Sequence, residues 1–453
     1  MIQTLNPATG EALSTYPCLD AAALDAALTQ ATRAQAGWAR QSFADRAAAV
    51  NRLAELLEAE APALARQMAL EMGKPLAQGE AEARKSALVC RFYAERAEAW
   101  LADEAVTVDS GSATVAHAPL GVILGIMPWN YPLWQVLRFA APTLMAGNTV
   151  VLKHAPNVTG TALALAALFD RAGLGEGRYT PLVIDLDATA RVIADPRVQA
   201  VSLTGSVRAG RAVAAAAGQA LKKCVLELGG SDAYVVLDDA DIERAAAACV
   251  SARFVNGGQS CIAAKRWIVT AAARPAFEAA VVARLAAETV GDPLNPATTI
   301  GPMARHDLRD ELHRQVEASR AAGARVVMGG VCPDGPGSFY PVTLLTDVGP
   351  GAPAWDDELF GPVASLIEVA DADAALKVAN GTPYGLGGAV FSADALLAER
   401  FARQLRSGAV GINRGVVSDP RLPFGGIGHS GYGRELSRHG LLEFVNVRAL
   451  MRA

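Results

Sequence analysis

The chain has 453 residues, which is too long for one compact core and corresponds to two or three domains of ~150 residues each. Hydrophobic residues make up 51% and charged residues 19%, a composition that excludes disorder, collagen and coiled coils. The formal charge of −5 predicts neither a nucleic-acid partner nor binding to an anionic membrane. Six cysteines without a Cys-Xaa-Xaa-Cys pair predict no disulfide framework and indicate a reducing, cytoplasmic compartment.

No segment is predicted to be a membrane anchor. The polar start, MIQTLNPATGE, lacks the basic and apolar regions of a signal peptide. The uncharged stretch Ala118 to Leu137 is long enough to span a bilayer, but Pro119, Pro128 and Pro132 interrupt it. It therefore predicts a buried strand, GVILGI, that runs into a turn.

The first hundred residues predict helices rich in Ala, Leu, Glu and Arg, with Ser42 and Asp45 as a capping box. A hairpin follows, AVTVDSGSATVAH, with its turn at Asp109, Ser110 and Gly111. Further on, β-rich runs alternate with helical runs; the predicted strands are GVILGI, NTVVLK, YTPLVI, VQAVSLTG, CVLEL, YVVLD, KRWIVT, ARVVMGG and VASLIEVA. This alternation predicts parallel, doubly wound sheets in two α/β domains.

Cys261 follows a Gly-rich turn in the segment ARFVNGGQSCIAAKRWIV. A nucleophilic cysteine needs exposure, nearby backbone N–H donors and a lowered pKa, and such a turn supplies all three. The alternative is an inert buried cysteine, which is the interpretation favoured for the other five.

Glu227 ends the predicted strand of KKCVLELGGSD, directly before Leu228 and a glycine pair. Partial burial raises the pKa of a carboxyl group at such a position, as a general base requires. The alternative is a strand-end glutamate paired with Lys222 or Lys223.

A strand-to-helix junction in LTGSVRAG places Gly205 and Gly210 where the backbone can approach a phosphate-bearing ligand. Gly426 to Gly431 match G-x-G-x-x-G formally, but they do not join a strand to a helix and are expected to form a tight loop over the active site. The histidines predict no metal site. A thiol hydrolase that uses Cys261 and Glu227 without redox chemistry is the alternative enzyme class.

Eight segments together resemble the aldehyde dehydrogenase superfamily, in the order and approximate spacing of that family. They are MPWNYP (127–132), VVLKHAP (150–156), LTGSVRAG (203–210), LELGGSD (226–232), NGGQSC (256–261), ELFGPV (358–363), YGLGGAVFS (384–392) and LPFGGIGHSGYGRE (422–435).

The resemblance implies a covalent mechanism. Cys261 would attack the aldehyde to give a thiohemiacetal, and Asn130 would donate its amide to the developing oxyanion. Hydride transfer to a nicotinamide would leave a thioester, which a water activated by Glu227 would hydrolyse to a carboxylic acid. Relatives that acylate CoA lack a glutamate at this position, so Glu227 favours hydrolysis.

The resemblance also implies the cofactor contacts, which are Trp129, Lys153, Gly205, Ser206, Gly210, Leu228, Glu358 and Phe360. NAD-selective members often carry a glutamate three residues after the lysine, where it repels a 2′-phosphate. That position is Pro156 here, which predicts use of both NAD and NADP.

The segments VLKHAPNVTG, GQSCIAAKR, SDPRLPFGG and SGYGRELS resemble the bacterial succinate-semialdehyde branch of the family, and this resemblance implies the substrate. There an arginine matching Arg138 and a serine matching Ser418 bind the distal carboxylate, while Arg138 as a surface or interface residue is the alternative. A second arginine of some of those enzymes is Val255 here, and Arg421 is expected to replace its charge. Glutarate semialdehyde and uncharged aldehydes are the alternative substrates.

The family resemblance finally implies a fold with a Rossmann-type cofactor domain (1–100 and 120–229), an α/β catalytic domain (230–430) and a small β oligomerisation element (101–119 and 431–453). A homodimer or homotetramer is expected, because an exposed strand edge invites pairing with another subunit.

Overall fold

A computed structural model describes all 453 residues of the chain. Its strands are β1 (Ile2–Leu5), β2 (Ala12–Tyr16), β3 (Glu104–Val106), β4 (Ser112–Pro119), β5 (Val122–Met127), β6 (Thr149–His154), β7 (Tyr179–Pro181), β8 (Val198–Thr204), β9 (Lys223–Glu227), β10 (Ala233–Val236), β11 (Arg266–Thr270), β12 (Arg325–Met328), β13 (Thr343–Thr346), β14 (Val363–Val369), β15 (Gly387–Phe391), β16 (Ala409–Ile412), β17 (Gly431–Tyr432) and β18 (Val445–Arg452).

The helices are α1 (Ala21–Trp38), α2 (Phe43–Ala59), α3 (Ala61–Met72), α4 (Leu76–Trp100), α5 (Trp134–Met145), α6 (Thr159–Arg171), α7 (Leu186–Ala194), α8 (Val207–Gln219), α9 (Ile242–Phe254), α10 (Arg274–Leu285), α11 (His306–Ala321), α12 (Pro353–Asp356), α13 (Ala372–Asn380), α14 (Ala395–Gln404) and α15 (Ser437–Leu442). Short 3₁₀ turns cover Pro156–Val158, Val255–Gly258 and Gly428–Ser430. No helix combines the length and the apolar character needed to cross a membrane.

A six-stranded sheet has the order β17-β9-β8-β5-β6-β7, parallel except for the edge strand β17. Its central strands are buried on both faces, which explains their nearly continuous apolar sequences. Along β5, Ile123 packs into the core formed with α2 to α6, while Leu124 packs into the core formed with α1, α7 and α8. The predicted doubly wound architecture is confirmed.

A second sheet has seven strands in the order β12-β13-β14-β11-β10-β15-β16, parallel except for β12. It also separates two cores, since Val235 packs on one face while Tyr234 and Val236 pack on the other. The boundary expected between residues 229 and 230 falls between β9 of the first sheet and β10 of the second.

The predicted hairpin forms β3 and β4, and β18 pairs with β4 along its whole length to complete a three-stranded antiparallel sheet. Residues 431 to 444 pack elsewhere: β17 pairs with β9, and Leu436, Leu441 and Phe444 enter the core beneath the six-stranded sheet. The C-terminal part of the small sheet therefore starts at β18 and not at residue 431.

Two local expectations need correction. The N-terminus begins with the hairpin β1–β2 instead of a helix, because Asn6 and Gly10 close a turn between two short strands. The run AAAVNRLAELLEAEAPALARQ, predicted as one helical segment after Ser42, forms two helices, since Pro62 lies in the first turn of α3. Ser42 caps α2 as predicted by accepting a hydrogen bond from the Asp45 N–H.

Candidate active site

Cys261 lies in a tight loop between α9 and β11, and the Asn-Gly-Gly sequence before it determines the shape of this loop. Asn256, Gly257 and Gly258 all have positive φ angles, of 56°, 60° and 73°. A Cβ on Gly258 would collide with the Gly361 carbonyl oxygen, so a glycine is required there.

A buried lysine anchors the same loop. The Lys265 ammonium donates to the Ser260 carbonyl at 3.0 Å and to the Cys261 carbonyl at 2.6 Å. The Cys261 backbone N–H donates to no protein acceptor. This N–H is therefore available as a donor to a bound oxyanion, as the Gly-rich turn predicts.

Asn130 follows β5 and meets the cysteine loop directly. Its Nδ2 donates to the Gln259 carbonyl at 3.0 Å, and its Oδ1 accepts from Gln135 Nε2 at 3.0 Å. Gln135 thus sets the orientation of the amide, and one Nδ2 hydrogen remains for a ligand. The structure brings Asn130 and Cys261 to one place, although they are far apart in the sequence.

A buried ion pair between Lys74 and Glu82 supports the Asn130 loop. Lys74 Nζ donates to the Asn130 carbonyl at 2.8 Å. Glu82 Oε1 accepts from the Leu133 and Trp134 N–H groups at 2.8 and 3.0 Å, which satisfies the N-terminus of α5. Neither Lys74 nor Glu82 was predicted from the sequence.

Glu227 ends β9 as predicted and is only 2% exposed. Neither of its carboxyl oxygens has a hydrogen-bond partner. Lys222 donates to backbone carbonyls and Lys223 is paired with Glu443 at 2.7 Å, so the interpretation of Glu227 as a lysine-paired strand end is wrong. A Cβ on Gly425 would lie 2.6 Å from Glu227 Oε1, so this glycine makes room for the carboxyl group.

Arg138 is 2% exposed and forms an ion pair with Glu435, so it is not a surface residue. Its Nη2 also donates to Thr204 Oγ1 at 3.2 Å. Burial raises the pKa of Glu227 well above its ordinary value; Glu435 adds to this shift and Arg138 opposes it. Glu435 was not singled out from the sequence, although it ends the last family motif.

The pKa of the Cys261 thiol is raised, whereas the sequence predicted a lowered pKa. Burial raises its pKa to about 11, although the positive charges of Arg138 and Lys265 act in the opposite direction. The thiol is therefore protonated in the resting protein, and a base must remove its proton before attack.

Two of the predicted nicotinamide-side residues contact each other. The Trp129 and Phe360 rings pack edge to face with centroids 5.8 Å apart. Glu358 is paired with Lys265 at 3.0 Å and accepts from the Gly230 N–H at 3.1 Å.

The predicted adenosine-side residues lie where β6 and β8 end. Lys153 is 8% exposed, and its ammonium forms no hydrogen bond or ion pair within the protein. An ammonium without a protein partner has its donors free for a ligand that offers ribose or phosphate oxygens. Ser206 caps α8 by accepting from the Ala209 N–H, and Gly205 precedes it. Pro156 is exposed and places no carboxylate beside Lys153.

The second glycine of this junction, Gly210, has a packing role. A Cβ on Gly210 would lie 2.5 Å from a Leu228 methyl carbon, so the absent side chain lets α8 pack closely on Leu228. The absence of a side chain at Gly210 therefore serves the packing of α8 on Leu228.

A cavity of about 520 Å³ lies beside the nucleophile, and Cys261, Arg138 and Ser418 all line it. Val255 also lines it. Arg421 does not, because its exposed side chain is bound to Asp419. Arg421 therefore does not supply the charge expected from it.

Comparison with known proteins agrees with this geometry. The sequence profile of the aldehyde dehydrogenase family matches residues 1–450. The chain belongs to the aldehyde dehydrogenase family. It is 48% identical, over 99% of both chains, to a Mycobacterium tuberculosis protein named succinate-semialdehyde dehydrogenase (NADP+) 1. It is 46% identical to the Escherichia coli K12 succinate semialdehyde dehydrogenase (NAD(P)+) Sad, over 99% of this chain and 97% of the relative.

The fold is that of the solved aldehyde dehydrogenases. The crystal structure of a Streptococcus pyogenes succinic semialdehyde dehydrogenase in complex with NADP+ superimposes with a TM-score of 0.97 at 36% identity, covering 100% of both chains. A Burkholderia pseudomallei succinate-semialdehyde dehydrogenase superimposes with a TM-score of 0.97 at 33% identity, covering 100% of this chain and 94% of that one.

The buried Glu227 predicts a pH-dependent stability difference. A carboxyl group whose pKa is raised on folding stabilises the fold below its unfolded pKa, and this stability is lost as the pH rises through the folded pKa. Glu227→Gln cannot ionise, so its Tm should rise relative to wild type as the pH increases from 5 to 9.

Thermal unfolding at several pH values measures this, with Glu55→Gln on the exposed face of α2 as the control for removing one surface carboxyl. A Tm difference between Glu227→Gln and wild type that stays constant with pH would contradict burial of an unpaired carboxyl group.

The Lys74–Glu82 pair predicts a separation of stability from activity. Lys74→Met leaves a buried carboxylate unpaired and should lower the free energy of unfolding by ~3–5 kcal/mol. The double variant Lys74→Met/Glu82→Met should recover much of this loss. Both variants should lose ~10²-fold in kcat, since the Asn130 loop is no longer held.

Urea unfolding and steady-state kinetics on the two variants check the prediction. Full activity in the double variant would show that the pair serves folding alone.

Proposed function

We propose that the protein oxidises succinate semialdehyde to succinate with NADP+ or NAD+. The observation that carries this proposal is a single cavity that joins the Cys261 nucleophile to cationic and hydroxyl side chains suited to the carboxylate at the far end of the substrate. The names of the Mycobacterium tuberculosis and Escherichia coli relatives support the substrate and the use of both cofactors.

Cys261 is the nucleophile in this proposal. The thiol first transfers its proton to a water molecule; its sulfur then attacks the aldehyde carbon and forms a C–S bond, and the carbonyl electron pair moves to oxygen. The Asn130 amide and the Cys261 backbone N–H donate to this oxyanion; one such donor contributes about 3–4 kcal/mol to lowering the barrier. Neither needs to move first, because Gln135 and Lys265 already orient the two donors.

Oxidation of this thiohemiacetal to a thioester requires a hydride acceptor, which is the chemistry that NAD(P)+ supplies when bound. Lys153, Ser206 and Gly205 would hold the adenosine side. Trp129, Glu358, Phe360 and the Gly210–Leu228 contact would shape the nicotinamide side.

Glu227 is the general base for the last step. Its carboxylate takes a proton from water, the hydroxide oxygen adds to the thioester carbon, and the C–S bond breaks to release the acid and the Cys261 thiolate. A carboxyl group with a raised pKa is a stronger base once ionised, as this step requires.

Arg138 and Ser418 are the proposed contacts of the distal carboxylate. Both line the cavity, and Nη1 of Arg138 donates to no other protein atom. A guanidinium that already holds Glu435 has one remaining N–H₂ to offer, so its contact with a substrate is monodentate.

We also propose a role for each of the three sheets. The six-stranded sheet with α1 to α8 binds the cofactor, the seven-stranded sheet carries the catalytic loop, and the three-stranded sheet joins subunits into a dimer or tetramer. Val106, Val447 and Met451 are exposed on the last sheet, as expected of a subunit contact. Six free cysteines favour work in the reducing cytoplasm.

Kinetics of two variants test the chemistry. With succinate semialdehyde and NADP+, wild type should reduce the cofactor continuously and Cys261→Ala should not reduce it at all. Glu227→Gln should release one equivalent of reduced cofactor in a burst and then stop, because the thioester persists. Absorbance of the reduced nicotinamide follows all three reactions.

Continuous turnover by Glu227→Gln would show that Glu227 is not the general base for thioester hydrolysis. Hydrolysis of an ester without any cofactor reduction by wild type would instead support a thiol hydrolase.

Dual cofactor use follows from Pro156. We expect kcat/KM for NAD+ and NADP+ to differ by less than roughly a thousandfold, about 4 kcal/mol. Pro156→Glu should lower kcat/KM for NADP+ by ~10–100-fold, since two like charges meet at the 2′-phosphate. Pro156→Gln is the matched neutral control.

A preference of wild type for NAD+ beyond that ratio would show that another group excludes the 2′-phosphate.

A further inference from the structure

The cavity beside Cys261 carries an excess of positive charge. Four of its lining side chains are cationic, namely Lys74, Lys85, Arg138 and Arg414, whereas Glu82 is its one anionic lining residue. Lys74 is paired with Glu82 and Arg138 with Glu435. The charges of Lys85 and Arg414 are left without a carboxylate partner in ion-pair contact.

The two unpaired cations differ in their setting. Arg414 is exposed at the rim, where solvent screens its charge. Lys85 is half-buried on α4, and its ammonium lies over the Trp134 ring, 4.2 Å from the centroid. An aromatic face stabilises the cation but does not neutralise it, so an anion still gains from contact with Lys85.

Lys85 is also bound to a residue of the proposed substrate site. Its Nζ donates to Ser418 Oγ at 2.7 Å. The hydroxyl hydrogen of Ser418 is thereby free to point elsewhere, and two ammonium hydrogens remain. The Lys85 ammonium and the Ser418 hydroxyl can thus both donate hydrogen bonds at one point of the cavity wall. This arrangement suits the two oxygens of a carboxylate.

We propose that Lys85, together with Ser418, binds the carboxylate at the far end of the substrate and so determines the preference for acidic semialdehydes. This inference rests on the proposed function. It assigns to α4 the second cation that the sequence lacks at Val255 and that Arg421 does not provide.

Lys85→Met keeps the length of the side chain and removes its charge. KM for succinate semialdehyde should rise about ten- to a hundredfold, as expected for loss of a hydrogen bond to a charged group. KM for butanal, an uncharged aldehyde with the same number of carbons, should stay within about twofold, because it makes no charge-assisted contact. Lys377→Met, on the exposed face of α13, is the matched control.

The pH profile gives a second readout. Burial lowers the pKa of Lys85 to about 8, and the charge of Arg138 adds to this shift. In wild type, KM for succinate semialdehyde should therefore rise above pH 8 while KM for butanal does not. Lys85→Arg keeps its charge at these pH values, so it should bind succinate semialdehyde well and lose this rise.

The other charged groups that face Lys85 are Glu82 on α4, Arg138 on α5, and Asp419 and Arg414 on the segment after β16. The Cys261 thiol titrates at higher pH, with a pKa of about 11.

Three outcomes would overturn the inference. Equal losses for both aldehydes in Lys85→Met would assign Lys85 to structure. A selective loss in Arg414→Met but not in Lys85→Met would place the carboxylate at the rim. A wild-type enzyme that oxidises butanal but not succinate semialdehyde would remove the proposed substrate itself, which the wild-type rates report separately from any variant.

Discussion

The chemistry of this site depends on one buried guanidinium that acts on two carboxyl groups. Arg138 forms an ion pair with Glu435, and its charge also favours ionisation of Glu227. One cation does not neutralise two buried carboxylates, so ionising the second has a large desolvation cost. Glu227, which has no hydrogen-bond partner, bears that cost. The same arrangement that makes it hard to ionise makes it a strong base once ionised.

Burial makes the Cys261 thiol hard to ionise, as it does the Glu227 carboxyl group. Burial raises the pKa of the Cys261 thiol to about 11, so the protonated thiol predominates at pH 7 in the resting protein. A thiol of high pKa is also a more powerful nucleophile after it ionises. The thiolate that attacks the aldehyde therefore forms only when a proton acceptor takes the thiol proton. Preorganised donors at Asn130 and on the backbone then stabilise the charge that has moved to the substrate.

Sequence patterns predicted the strands that have a strong local signal. The apolar, β-branched runs of β5, β6 and β8 follow from burial on both faces. The same reasoning missed β15 and β16, whose sequences GGAVF and AVGI contain glycines of low strand propensity. These two strands exist because neighbours in the seven-stranded sheet pair with them, and that information lies elsewhere in the chain.

The functional site also contains residues that a local motif predicts and residues that only the fold brings together. Cys261, Glu227 and Asn130 stand in recognisable motifs, whereas the residues that orient or complement them come from surfaces that form only on folding. Helix α4 is the clearest case: Gln78, Glu82 and Lys85 recur at spacings of four and three residues and form one polar stripe that lines the cavity. A polar stripe facing inward needs partners. A search along the chain for a second cation led to Arg421, near the motif in sequence, because a cavity is lined by helix faces and not by consecutive residues.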